Sequence, residues 1–489
     1  MRTHWMGGFA PLVALALGCG QEVDEPLTRE GQEADEVADE DEPAATPPGP
    51  EALASDEEPL DVVTFCDPAA NPPVPVNFPA EMVITNLAVV EDPCRTTLTP
   101  TVACPAGSVG VWTFAELMSR MSGTVPANVF VAEWLRTFEL GSVVNGFPVP
   151  ARANVRPALI DPWLVASGCA PGAPLVGAGA CPLDLTRAPF RLLAIVNRVD
   201  LEDATVGEPG ELRFVFGAVD LRAAGRPPLE ATFIFEYELP SSLPIFDWTT
   251  RLHDLRLFPL GSAPYRNHLQ SITDDVTLPG AEPGNPNLGS AIAQLRTNEI
   301  DLGGPPWKMR EYHLQNVGRG FDAQALRMQP TAQSPDDSLN LSGPLDAFLA
   351  ANEPLILDVA HTVPNVMLGG EASAPMLWNE TGAAGILPET RHLFGFSTCS
   401  GCHTDETNTA FTHVNTRNAG VASTLSPFLG VSAAPAAPGS GNPAAFQTVV
   451  DPAPSGLVFQ YNEPWRRVCE VRRILGGAAV PYTRPHGAH

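Results

Sequence analysis

The sequence predicts an α+β fold, a mostly antiparallel sheet partly covered by helices, and three observations carry that expectation. Phe190–Val196 (FRLLAIV), Leu212–Val219 (LRFVFGAV) and Ala231–Tyr237 (ATFIFEY) are rich in aromatic and branched residues, the composition of buried strands. The gaps between them are too short for strand-helix-strand crossovers of ordinary length, which favours antiparallel pairing. Segments before and after them repeat apolar residues at helical spacing, so helices are expected to cover the sheet.

In chain order, Glu81–Val90 (EMVITNLAVV) reads as a strand because it is rich in branched residues. Trp112–Met121 and Ala127–Phe138 read as helices, with stripes at Phe114, Leu117, Met118 and Met121 and at Val131, Trp134, Leu135 and Phe138. Trp307–Leu314 (WKMREYHL) alternates faces and makes a fourth sheet strand. Helices are predicted at Ile245–Leu257, Tyr265–Thr273, Gly289–Arg296 and Ser342–Ala351. A last helix is predicted at Pro464–Leu475, with Pro in its first turn and Gly476-Gly477 after its end. Its inner stripe is Trp465, Val468, Val471 and Leu475, which leaves Arg466, Arg467, Arg472 and Arg473 mostly on a solvated face.

The first 60 residues differ from the rest. Residues 1–19 combine Arg2, an apolar run from Phe9 to Leu17 and then Gly18-Cys19. That run is about half the ~18 residues a spanning helix needs, so it reads as an export signal. It resembles the signal of bacterial lipoproteins, which implies lipid on Cys19 and, with Gly20 next, sorting to the outer membrane. Residues 20–60 are acidic and Pro-rich, too poor in apolar groups to form a core, and read as a disordered tether. The whole chain carries a net charge of −28. Acidity of this order argues against nucleic acid, which needs basic patches. Residues 61–380 are then an α+β body, and residues 381–489 a loop-rich segment with the final helix.

The segment Arg391–His413, RHLFGFSTCSGCHTDETNTAFTH, holds Cys399, Cys402 and His403 in the spacing C-x-x-C-H. Two thiols on one helical turn can each add to a vinyl group of one porphyrin, and the adjoining imidazole can take the iron. The motif resembles the haem attachment site of c-type cytochromes. That resemblance maps Cys399 and Cys402 onto the thioether positions of a single covalent haem c, and His403 onto the proximal ligand. No Met follows Met376, so the distal candidates are His413, placed first, then His486, His489, His392, His361, Met367 and Met376. Two other readings of the same residues stay open. Cys399 and Cys402 could form a disulfide, or join His413 around zinc with Glu406 or His403 nearby.

Setting aside Cys19, Cys399 and Cys402 leaves six cysteines, an even number that suggests three disulfides in an exported chain. Cys94 with Cys104 and Cys169 with Cys181 close short Pro/Gly-rich loops, which leaves Cys66 for Cys469. No nucleophile elbow, phosphate-cradling glycine loop, H-E-x-x-H or EF-hand loop is present. The sequence therefore names no catalytic residue. His253, Asp254, His268, Asp274 and Asp275 fall on or near predicted helices and read as surface or capping groups. Asn197–Asp200 and Arg296–Glu299 are polar segments beside core elements; the ordinary reading is strand and helix termini bonding to side chains, and the alternative is that they line one cleft.

A resemblance to uncharacterised secreted proteins of Gram-negative bacteria rests on Ala188–Arg198 (APFRLLAIVNR) and Thr398–His403 (TCSGCH), and it implies no activity. The function expected is a lipid-anchored haem c protein of the cell envelope that passes electrons to a partner protein or senses redox state. The alternative is a structural or binding lipoprotein whose C-x-x-C is a disulfide or a metal site.

Overall fold

A computed structural model describes residues 74–202, 210–300, 302, 306–316, 324–431 and 447–476. The expected signal, Cys19, the tether, Cys66, His486 and His489 lie outside the described residues.

The core is an eight-stranded sheet in which every pairing is antiparallel. Its strands are β1 (Val83–Ile84), β2 (Phe190–Arg198), β3 (Glu211–Val219), β4 (Pro228–Glu238), β5 (Ile292–Glu299), β6 (Trp307–Asn316), β7 (Gln324–Gln329) and β8 (Ala372–Ala374). They pair in sequence order from β1 to β6, and β6 then takes both β7 and β8 on its far side. The three aromatic runs are thus central strands, as their composition predicts.

One face of the sheet is apolar and carries the helices. In α1 (Phe114–Met121) the Thr113 hydroxyl accepts from the Glu116 amide and fixes the start. The ring of Phe114 stacks on Phe190 at 4.0 Å. From α2 (Ala127–Glu139), Trp134 meets Phe233 and Tyr312 edge-on. Further helices are α3 (Ile245–His253), α4 (Ala263–Thr277) and α5 (Gly343–Leu357). Among the described residues no helix is long and apolar enough to cross a membrane.

The opposite face is charged. Register places Arg213 beside Glu236, and Ile234, Arg296 and Glu311 in one row across three strands. Arg296 pairs with Glu236 and Glu311, each at 3.1 Å, and Arg213 pairs with Glu236 at 3.4 Å. Arg213, Glu236 and Glu311 are buried and Arg296 largely so, because the C-terminal part of the chain lies over them. That part contributes α6 (Pro388–Phe396), the single turn α7 (Cys399–Cys402), the hairpin β9 (Gln447–Val450) and β10 (Val458–Tyr461), and α8 (Glu463–Gly476). Trp465, Val468, Cys469 and Val471 of α8 join the same core as Phe78 and the sheet, so residue 380 marks no break in packing.

Three expectations are corrected. Gly289–Arg296 is not a helix; Ile292–Glu299 is a strand between β4 and β6. Only Val83–Ile84 of the segment Glu81–Val90 is strand, because Asn86 accepts from the Ala88 amide and starts a helical turn over Leu87–Val90. Arg466 and Arg467 are buried, not solvated: Glu463 pairs with both, and Asp200 takes Arg466 at 2.7 Å.

The disulfides Cys94–Cys104 and Cys169–Cys181 are formed. Cys469 is disulfide-bonded as well.

Candidate functional site

The C-x-x-C-H residues sit where α6 turns into α7. Thr398 caps α7, its hydroxyl accepting from the Gly401 amide at 3.1 Å while donating to the Gly395 carbonyl at 2.7 Å. Gly395 and Gly401 let the two helices abut, since a Cβ at 395 would lie 2.6 Å from Glu406 Oε1 and one at 401 would overlap the Gly395 carbonyl. One turn then carries both thiols, and His403 closes it.

Cys399 and Cys402 are unpaired and buried. The Cys399 amide donates to Ser334 Oγ at 2.8 Å, and its thiol faces the Ala332 carbonyl at 3.7 Å. Burial pushes the Cys399 thiol up to about 11, and burial raises Cys402 further. Both are therefore neutral thiols at neutral pH. Cys402 Sγ lies 3.5 Å from His413 Nε2, and His413 Nδ1 lies 2.9 Å from Ser426 Oγ.

His403 donates from Nδ1 to the Phe411 carbonyl at 2.6 Å. A carbonyl can only accept, so that bond fixes the tautomer and leaves Nε2 as a bare lone pair. Burial holds the His403 imidazole down to about 4, which keeps it neutral. Phe411 adopts φ +78°, an unusual conformation for a bulky residue, and its ring lies 4.3 Å from Trp307.

Cys399, His403 and His413 line a cavity of 70 Å³ between α7 and the charged face of the sheet. Arg198, Arg296, Thr297 and Asn298 also line it, so the two polar segments Asn197–Asp200 and Arg296–Glu299 do meet at one cleft. Met309 lines it from β6. Nothing in the local sequence ties Met309 to the motif; its one signal is the alternation of WKMREYHL, which puts Met309 on the same face as Glu311.

Of the remaining distal candidates, His361 contacts Phe348 and Phe394 and Met367 and Met376 pack in that same second apolar cluster. His392 is bonded through both ring nitrogens, to Glu406 and Tyr461. None of these four lines the cavity. His253 pairs with Glu81, His268 bonds the Arg251 carbonyl, and Asp274 and Asp275 pair with Arg120 and Arg251, all of them roles that tie helices together.

The donor set fits haem attachment in part: Cys399, an imidazole with Nε2 bare and a thioether line one cavity, whereas Cys402, unpaired on the same turn, does not line it and faces His413. The packing fits less well. Small-molecule pockets hold about 300–1,000 Å³, and the rings of His403 and His413, 4.5 Å apart, leave no room for an iron between them. The zinc arrangement is not assembled either. Among the described residues, the His, Cys, Asp and Glu group whose ligand atoms all lie within 4.8 Å of one another is His392, Glu406 and Asp451. No family model, no curated protein and no solved structure matches this chain.

Proposed function

We propose that the chain is a lipid-anchored cell-envelope protein carrying one covalent haem c, and that it transfers electrons to a partner protein or senses redox state. The observation that carries this reading is His403: its Nδ1 is held by a backbone carbonyl, so Nε2 is free to bind iron beside two unpaired thiols. In a chain whose other described cysteines are all disulfide-bonded, the C-x-x-C pair stands apart. Cys399 and Cys402 would hold the porphyrin and His403 the iron. The bound haem would supply one-electron chemistry. Lipid on Cys19 would anchor the chain at the outer membrane.

The 70 Å³ cavity favours one second reading, a structural or binding lipoprotein whose Cys399 and Cys402 close as a disulfide or hold a metal ion. Expression beside a haem-attachment system separates the two. Haem retained on a denaturing gel and an intact mass raised by one haem support the first; colourless protein at the apo mass supports the second.

A further inference from the structure

A second buried cluster adjoins the C-x-x-C-H turn. The Tyr461 hydroxyl of β10 lies 2.5 Å from His392 Nε2, and His392 Nδ1 lies 2.6 Å from Glu406 Oε2. Arg391 fixes Glu406 through Oε1 at 2.5 Å and also pairs with Asp451. All five side chains are buried. The grouping of His392, Glu406 and Asp451 resembles a metal site in spacing alone. Arg391 already supplies the cation between the two carboxylates, and neither nitrogen of His392 is left for a metal.

The bonds have a direction. Glu406, salt-bridged to Arg391, accepts, so His392 carries its proton on Nδ1. Nε2 is then the lone pair, and Tyr461 donates its O–H to it. A phenol is thus aimed at a base whose far side is held by a carboxylate.

Ring contacts also join Tyr461 to the motif. His403 and His413 lie 4.5 Å apart by ring centroids, His413 and Phe428 5.5 Å, and Phe428 and Tyr461 5.9 Å. Phe396 lies parallel to the Tyr461 ring within 2° at 5.0 Å, and Phe459 stacks on His392 at 3.5 Å.

We propose that Tyr461 is a redox-active tyrosine. A one-electron oxidant takes an electron from the phenol; the O–H bond breaks, an N–H bond forms at His392 Nε2, and the products are a neutral tyrosyl radical and an imidazolium whose Nδ1–H stays on Glu406. Reduction runs the same steps backwards. The oxidant is a high-potential one-electron acceptor that reaches the chain from outside, so the proposal stands independently of the haem reading.

The test uses the full chain and photogenerated tris(bipyridine)ruthenium(III) as the oxidant, with and without covalent haem. Freeze-quenched paramagnetic resonance is expected to show a neutral tyrosyl radical, slower to form in deuterated water. Tyr461→Phe keeps the ring stacking and should abolish that signal. His392→Gln keeps Tyr461 and an acceptor for its O–H but removes the base, so radical yield should fall at least tenfold; it also carries the test if Tyr461→Phe does not fold. No radical in the wild type, or an undiminished one in both variants, overturns the proposal. A radical in haem-free protein that never acquires haem supports Tyr461 while removing the haem reading.

Discussion

Gly401 stands against the Gly395 carbonyl so closely that no Cβ fits between them, and its nearest side-chain neighbour, Glu406 Cγ, would be 3.0 Å from that Cβ. The glycine inside the C-x-x-C spacer is therefore a packing requirement of the α6–α7 junction. Backbone cannot yield as a flexible side chain can, so Gly401→Ala is expected to destabilise the chain by about 1–3 kcal/mol. Denaturant unfolding measures it, and a neutral Gly401→Ala would show that the junction is looser than described.

Much of the fold was legible because its strands are strongly typed. FRLLAIV, LRFVFGAV and ATFIFEY announce themselves through branched and aromatic residues. Ile292–Glu299 did not, because Ala, Gln, Leu and Arg favour helices and only pairing with β4 and β6 makes the segment a strand. The motif placed Cys399, Cys402 and His403 correctly on one turn. Burial of Arg466 and Arg467 was invisible, since one of the carboxylates that neutralise them, Asp200, is supplied from the end of β2. Met309 was missed for the same reason: the sheet, not local sequence, brings it to the motif.

The two short disulfides close loops with separations of 10 and 12 residues. Loop-closure entropy for such lengths is worth about 2–3 kcal/mol each. Replacing Cys94 and Cys104 together by Ser is expected to cost about that much in urea unfolding. The C-x-x-C thiols should remain alkylatable after denaturation in haem-free protein, and the other described cysteines only after reduction as well.

Acid should weaken the seam between α8 and the end of β2. Although burial opposes it, Arg466 and Arg467 hold Glu463 down to about 2, with Arg198 and Asp200 in the same cluster. A carboxylate lowered on folding contributes stability that is complete above its unfolded value near 4.5 and is lost as pH falls towards 2. The loss from this group amounts to roughly 3 kcal/mol. Unfolding followed from pH 6 to about 2 should show it, and Glu463→Gln should be less stable at pH 6 with a shallower acid limb. An acid limb as steep in Glu463→Gln as in the wild type would remove Glu463 as its cause.

The distal side of the proposed haem is decided between Met309 and His413. The sequence favours His413 by proximity, but the described packing sets its ring 4.5 Å from that of His403 and engages Nδ1 with Ser426. Met309 lines the same cavity from β6. A thioether opposite an imidazole gives a higher potential than a second imidazole, and the two ligands differ in their near-infrared bands. Met309→Leu preserves volume and is expected to convert the ferric protein from low spin to high spin with covalent haem content unchanged. His413→Ala should leave the spin state as it is while loosening the wall around Cys402. The opposite pattern, high spin in His413→Ala and an unaltered Met309→Leu, would mean that the segment carrying His413 withdraws when haem is attached and that its imidazole returns from the far side.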